Sequence, residues 1–500
     1  MSSTPETSAP LPSDLASRQR TLTEAFRAFL PADAVLCTPE ELKPFECDGL
    51  PAYRTTPLIA VLPETVEEVQ RIMRLCAAHD VPVVARGAGT GLSGGALPLA
   101  QGVLLSLAKF TRILELDPER RIARVQPGVR NLAISQAADP HGQYYAPDPS
   151  SQIACSIGGN VAENSGGLHC LKYGLTVHNV LALKVVTIDG DVLDIGSEAP
   201  DTPGYDVLAL MNGSEGMLGV IVEVTVRLLP KPIVTQVVLG AFDDVEKCGD
   251  AVADIIATGT IPAGLEMMDR LAIEAAEDFA ACGYPRDAEA ILLCEVDGIG
   301  EEVDAQLRLV EQVLQRAGAT AIRTAADEQE RMLLWKGRKS AFPAVGRISP
   351  DYYCIDGTIP RHRLAEVLRR MAQMSEEYGL KVANVFHAGD GNLHPLILFD
   401  SAVPGELERT EEFAGRILTL CVEVGGTITG EHGVGVEKLN QMCVQFPAHE
   451  LQQFHALKAA WDPNSLLNPG KAVPTLTRCA EFGAMHVHAG NLPFPELERF

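Results

Sequence analysis

The chain is poor in every feature that would place it in a membrane or on nucleic acid. Its 500 residues hold no uninterrupted apolar run of about eighteen, so no segment reads as a membrane-crossing helix. Met1 to Ser17 is rich in Ser, Thr and Pro and lacks both a basic start and an apolar core. It is therefore expected to be a solvated tail rather than a signal peptide. Basic residues are scarce, 41 against 66 acidic ones, and a net charge of −25 disfavours binding to a phosphate backbone. An anionic small molecule would need a local basic pocket against that field. Twelve cysteines occur without a single C-x-x-C pair. That spacing supplies no iron–sulfur or structural-zinc cluster, and a disulfide scaffold is not expected at this length. A cytoplasmic location is the expectation. Aromatic residues make up 5%, yet 46% hydrophobic content suffices for the cores of two or three domains.

Glycine, by contrast, is plentiful and concentrated. The run Arg86-Gly87-Ala88-Gly89-Thr90-Gly91-Leu92-Ser93-Gly94-Gly95 places five glycines in nine positions directly after the apolar stretch Val81 to Ala85. Such density suits bare backbone converging its amides on negative oxygens, and a pyrophosphate is the natural ligand. Gly89, Gly91 and Gly94 also spell G-x-G-x-x-G, but that dinucleotide motif requires a helix opening at the glycines. Here a proline-containing loop, Ala96 to Gly102, leads instead to an apolar run at Val103 to Leu107, so the motif is rejected.

Before this run, Thr65 with Glu67 and Glu68 caps an amphipathic helix through Val69, Ile72, Met73, Leu75 and Cys76. After it come short strands at Ile113 to Leu116 and Ile122 to Val125, then a helix at Asn131 to Ala138. A second polar, small-residue region runs from Tyr145 to Gly174 and includes Pro147, Asp148, Ser151, Gly158, Gly159, Asn160, Asn164, Gly166, Gly167 and Tyr173. It suits one face of a flat, hydrogen-bonding heterocycle such as an isoalloxazine. Strands at Val180 to Ile188 and Val192 to Ile195 flank the hairpin signal Asp189-Gly190-Asp191. A third glycine segment, Gly213 to Gly219, leads into the strand Val220 to Leu228, and Pro230-Lys231-Pro232 marks a domain boundary. Beyond it, strands and helices alternate as in a compact α+β domain.

Two clusters carry chemistry. His387 and His394 bracket a glycine turn between the apolar strands Val382 to Phe386 and Leu396 to Phe399, so they can face one side of a hairpin. Gly430-Glu431-His432-Gly433 adds a carboxylate and a third imidazole. Two imidazoles and one carboxylate, His387, His394 and Glu431, form a divalent-metal set with open positions, leaving His432 as a general base. Arg338, with Arg347 second, is the candidate clamp for a substrate carboxylate. Lys471, in Asn468-Pro469-Gly470-Lys471, is a candidate for a cofactor phosphate or flavin edge. His486 and His488 read as part of a solvated tail.

The segments RGAGTGLSGG at 86–95, IGGNVAENSGG at 157–167, GSEGMLG at 213–219, HAGDGNLH at 387–394, GEHGVG at 430–435 and NPGK at 468–471 follow one another in order. In this the chain resembles the FAD-linked oxidases of the vanillyl-alcohol oxidase type, in the branch acting on D-2-hydroxy acids. That branch includes the catalytic subunits of bacterial glycolate oxidases and the D-lactate and D-2-hydroxyglutarate dehydrogenases. The resemblance implies an α+β fold with a two-subdomain FAD-binding domain at 21–232, a cap domain with an antiparallel sheet at 233–425, and a segment at 426–475 returning to the FAD domain. Tails at 1–20 and 476–500 flank these. It implies that Arg86, Gly87, Ala88, Gly89, Thr90, Gly91, Ser93 and Gly94 hold the pyrophosphate. Gly158 to Gly167, Glu215, Gly219, Ile221 and Asn468, with Tyr173 and Gly174, would surround the rest of the cofactor. FAD would be non-covalent, because the glycine loop has no histidine or cysteine. The metal would polarise the substrate hydroxyl, His432 would take its proton, and the Cα hydride would pass to flavin N5. Relatives acting on long dicarboxylates place a lysine near Cys354 and a polar residue near Leu396, and both are missing here, which favours glycolate or D-lactate. With no cluster for iron–sulfur centres, electrons would leave to a quinone or to partner subunits, one FAD-binding and one iron–sulfur. Such partners could also bring the chain to the membrane.

Overall fold

The computed structural model describes residues 12–199, 203–475 and 478–479. Its first helix, Ser13–Arg27, begins inside the stretch expected to be tail, because Leu22 and Phe26 on its inner face enter the first core. Strands Ile59–Val61, Val103–Ser106 and Val83–Arg86 pair in parallel, with Val35–Leu36 antiparallel at the edge. Parallel neighbours need a crossover, and the helix Val66–Ala78 supplies one, opened by a reciprocal cap between Thr65 and Glu68. From Arg86 the chain runs as an irregular loop to Val103 with no helix between. The rejection of the dinucleotide motif therefore holds.

The second sheet is antiparallel, in the order Ile113–Asp117, Ile122–Val125, Val220–Arg227, Val180–Val186, Val192–Gly196. Val186 pairs with Val192 across the expected Asp-Gly-Asp turn. One local correction falls here. Ile157–Glu163, within the polar, small-residue region to which the sequence reading assigns no element, is a short helix. A side chain at Gly158 would sit 2.5 Å from Pro127, so the glycine that weakens the helix also lets it pack tightly.

A third sheet begins at Val234, two residues past Pro232. Its antiparallel order is Ala321–Thr324, Val234–Phe242, Ala290–Gly298, Gly264–Asp269, Val382–Phe386, Pro395–Phe399, Asp351–Cys354. Alternate residues feed two cores. Val238 and Phe242 pack with the helices Val245–Ala257, Gly300–Arg316, Leu364–Tyr378 and Glu406–Glu423. Val237, Leu239 and Ala241 pack with Arg270–Ala280, Glu328–Lys339 and Ala341–Val345. The sheet is thus covered on both faces, which a two-residue repeat with apolar residues on both sides requires.

After the helix Ala448–Trp461, which the sequence reading did not single out, the chain comes back to the first sheet. Leu467 bridges Val83 in parallel, and the Asn468 amide donates to the Val83 carbonyl. Cys443 and Cys479 are bonded across 36 residues, while the other ten cysteines remain thiols. The bridge is a local tie on an otherwise disulfide-free chain. His486 and His488 lie outside the described residues.

Candidate active site

The hairpin logic places the two histidines as expected. His387 ends one strand and bridges back to Asn392 across a turn in which Gly391 takes φ +82°, a conformation that suits glycine. His394 opens the next strand, and the two rings meet edge to face at 4.9 Å. The loop Thr427 to Gly435 then delivers Glu431 from a distant part of the chain. Its Oε1 lies 3.4 Å from His387 Nε2 and 3.2 Å from His394 Nε2. Ligands about 2.1 Å from a tetrahedral cation stand about 3.4 Å apart, so these spacings fit a metal. His394 Nε2 is buried and has no hydrogen-bond partner despite two nearby carboxylates. An unspent nitrogen facing carboxylates fits a cation between them.

His387 is aimed by its other nitrogen. Nδ1 lies 2.8 Å from Oε1 of Glu266, a fully buried acid in the strand Gly264–Asp269. This pairing leaves Nε2 toward Glu431, the arrangement by which a carboxylate orients a metal-binding imidazole. Burial works against a charged His387, but Glu266 and Glu431 raise its pKa well above the ordinary value. A bound cation would displace that proton. Burial pushes the Glu431 carboxyl up, yet the facing histidines prevail and hold it down at about 2.

His432 stacks on His394 at 4.9 Å with 12° between planes, and its Nδ1 is buried without a partner. Burial, with Asp356 opposing, pushes its pKa down to about 4, so the imidazole is neutral at pH 7 and keeps a free lone pair. Asp356, His394 and His432 form a second set close enough to share an ion. Asp356 is already committed, however. It accepts from the His432 amide at 2.8 Å, Thr429 Oγ1 at 2.5 Å and Lys438 Nζ at 3.1 Å. The first set is therefore the better metal candidate, and Asp356 fixes the loop that carries His432.

These groups stand at one end of a cavity of about 500 Å³. Arg86, Gly87, Ala88, Gly89, Thr90 and Gly91 line it from the glycine loop, and Ser151, Gly158, Gly159 and Asn160 from the second polar region. Glu215, Gly219 and Ile221 close a third side, and His394, Glu431 and His432 form the far end. The remaining expected cofactor residues stand behind the wall and shape it. Ser93 accepts backbone amides from Val436 and Glu437, and Gly94 packs on Val436. Pro147 accepts from Asn131, and Asp148 holds His169. Asn164 ends the helix Ile157–Glu163 in a left-handed turn, while Gly166 and Gly167 pack against Glu431 and Asp148. Tyr173 donates to Asp297, and Gly174 is pressed against His178. Asn468 Nδ2 ties Gly95 to Glu215. Lys471 Nζ donates to the carbonyls of Gly95 and Leu97, so it braces the loop from behind.

Arg338 is buried and does not line the cavity. Its guanidinium meets Glu266 at 2.6 Å, and its Nε has no hydrogen-bond partner. The neighbouring Lys339 does line the cavity, with Phe342, Pro343 and Tyr352. Arg347 lies over the Phe279 ring and donates to the Asp278 carbonyl, away from the site. Sequence reasoning missed Glu266, Asp356 and the Phe342–Tyr352 wall. For Glu266 a signal existed, an acid inside the apolar strand GLEMMD.

Comparison with known proteins gives two family matches. Residues 57–196 match an FAD binding domain, and residues 231–472 match the C-terminal domain of FAD linked oxidases. The chain is 66% identical over 476 residues to the glycolate oxidase subunit GlcD of Escherichia coli (strain K12), covering 95% of each chain. It is 39% identical to the Bacillus subtilis (strain 168) protein of that name, over 85% of this chain and 91% of that one. A D-lactate dehydrogenase of Archaeoglobus fulgidus is 34% identical, covering 85% of this chain and 96% of the other. Among solved structures, p-cresol methylhydroxylase with substrate bound superposes with a TM-score of 0.77 at 20% identity, covering 93% of this chain and 98% of that one. That likeness concerns the fold. A cavity lined both by close-approaching glycine backbone and by unpartnered imidazole nitrogens suits FAD.

Proposed function

This chain belongs to the FAD-linked oxidases, and from that premise we propose that it oxidises a small D-2-hydroxy acid, glycolate or D-lactate, to the 2-oxo acid. The observation that carries this reading is the union of a neutral, buried His432 with the His387–His394–Glu431 set at the cofactor cavity's end. FAD, when bound, supplies the acceptor for the hydrogen and two electrons that leave Cα. A divalent metal held by His387, His394 and Glu431 would supply a Lewis acid for the substrate hydroxyl. His432 takes the hydroxyl proton at its unpartnered nitrogen, and Asp356 keeps the loop beneath it in register. The substrate carboxylate falls to Lys339 in the cavity wall, while Arg338, expected from sequence as the clamp, is buried on Glu266 and does not reach the cavity.

Cys354 and Leu396 are cross-strand partners, 4% and 0% exposed, so no polar group there awaits a second carboxylate. This supports a monocarboxylate over 2-hydroxyglutarate. The intact histidine–glutamate set also argues against a non-catalytic FAD-binding subunit. Electrons pass on to a partner, since the two glycolate oxidase relatives are named as subunits and the sequence has no C-x-x-C pair to ligate a cluster. A second FAD-binding subunit and an iron–sulfur subunit are the partners of fitting chemistry, and they would account for any membrane association. No helix among the described residues is long and apolar enough to cross a membrane.

The test is His432→Ala. It should keep FAD and lose substrate-driven flavin bleaching by roughly 10²- to 10⁴-fold. Bleaching at the wild-type rate would remove His432 from this role.

A further inference from the structure

The cap side of the site carries a row of rings. Tyr352 meets Phe342 at 6.2 Å with 73° between planes, and Phe342 meets His394 at 6.3 Å with 72°. His394 in turn stacks on His432. Phe342, Pro343 and Tyr352 all line the cavity. Both rings are held from behind, packed against the core that contains Leu396 and Leu398. Tyr352 is also fixed in register, since it pairs with Leu398 across the sheet edge. A wall pinned by strand pairing and a filled core does not recede cheaply.

Resting on the function proposed above, the substrate's Cα has four substituents to place. Its hydroxyl goes to His432 and the metal set, its carboxylate to Lys339, and its hydrogen to the flavin. One substituent is left, and the Phe342–Pro343–Tyr352 face is the wall not yet assigned. That face carries no positive charge to balance a second carboxylate, its one polar group being the Tyr352 hydroxyl, and burying a charge against its rings is costly. It can receive hydrogen or a short alkyl group. We infer that the Phe342–Tyr352 wall is the specificity determinant of this site, limiting the fourth substituent to hydrogen or methyl and so restricting the chain to two- and three-carbon 2-hydroxy acids.

The experiment measures kcat/KM for flavin bleaching by glycolate, D-lactate, D-2-hydroxybutyrate and D-2-hydroxy-4-methylpentanoate. Wild type is compared with Phe342→Ala, Tyr352→Ala and the milder Phe342→Leu. Dissociation constants of the matching 2-oxo acids, from calorimetry, give a readout that does not depend on turnover. A methylene in a tight pocket is worth roughly 10- to 200-fold. Wild type should therefore drop at least about tenfold from D-lactate to D-2-hydroxybutyrate. Phe342→Ala should narrow that drop about tenfold in both kcat/KM and 2-oxo-acid affinity, with Phe342→Leu between. FAD content and thermal midpoint establish that each variant is folded; should the alanine variants lose FAD, Phe342→Leu decides. If wild type discriminates but every folded variant keeps its profile, the wall is overturned and the oxidase reading stands. If no 2-hydroxy acid bleaches wild type, the oxidase reading falls and the wall with it.

Discussion

His387 has a carboxylate on each side, and the two do different work. In the proposed site Glu431 would share the cation, whereas Glu266 holds Nδ1 and leaves Nε2 facing Glu431. Glu266 also carries Arg338, so one buried acid links His387 to the helix that bears Lys339. Glu266→Gln should leave the fold intact and weaken metal affinity roughly 10- to 100-fold, measured by metal content after dialysis against graded chelator. Unchanged metal content would show that His387 is aimed by something else. The sequence made His387, His394, Glu431 and His432 legible because each sits at a glycine-flanked turn. The roles of Glu266 and Asp356 were not legible. Glu266 stands out as an acid inside an apolar strand and Asp356 follows a strand end, but neither pattern names a partner, and the partners lie more than sixty residues away.

At the scale of elements, the turn His169 to Gly174 bolts the first part of the chain to the third sheet. His169 lies between Asp148 at 2.8 Å and Glu295 at 2.9 Å, and Glu295 also takes Trp335 and Arg331. Lys172 and Tyr173 meet Asp297 on the same strand. Burial alone would lower the His169 pKa, but its two carboxylates raise it well above the ordinary value. A raised histidine gives stability that is fully present below about pH 6.5 and lost as pH climbs through the native value. Asp148 and Glu295 are held low by the same contact, so their share is present above about pH 4 and lost on acidification. His169→Gln should cost about 3 kcal/mol at pH 6 and flatten the alkaline decline of the thermal midpoint, seen by calorimetry from pH 6 to 10. An equally steep decline in the variant would place the titration elsewhere. Most strands and helices were readable from periodicity, down to the cap at Thr65 and the hairpin at Gly190. The helix Ile157–Glu163 was not, because two glycines mask a helix that tertiary packing stabilises.

As a whole, the chain joins an FAD-binding domain to the proposed histidine–glutamate site, and among the described residues there is no cysteine cluster that would carry electrons onward. Purified chain should bleach once with glycolate or D-lactate and then turn over only when an artificial acceptor is added, followed by flavin absorbance. Rapid turnover in air without acceptor would make it a self-sufficient oxidase. Chelation should lower the thermal midpoint, and restoring a divalent cation should recover it, since a ligand at 100 times its Kd adds about 2.7 kcal/mol. A midpoint indifferent to chelator would leave the histidine–glutamate set without a metal.

The return of the chain's end to its beginning also has a cost in time. The loop at 86–97 is braced by Asn468 and Lys471, which a ribosome adds more than 370 residues later. Until those two side chains emerge, Gly95 and Leu97 lack the donors that hold them, so the yellow colour should arrive after synthesis rather than during it. A chain stopped after Asn464 should come out colourless, however much of its cap has already folded.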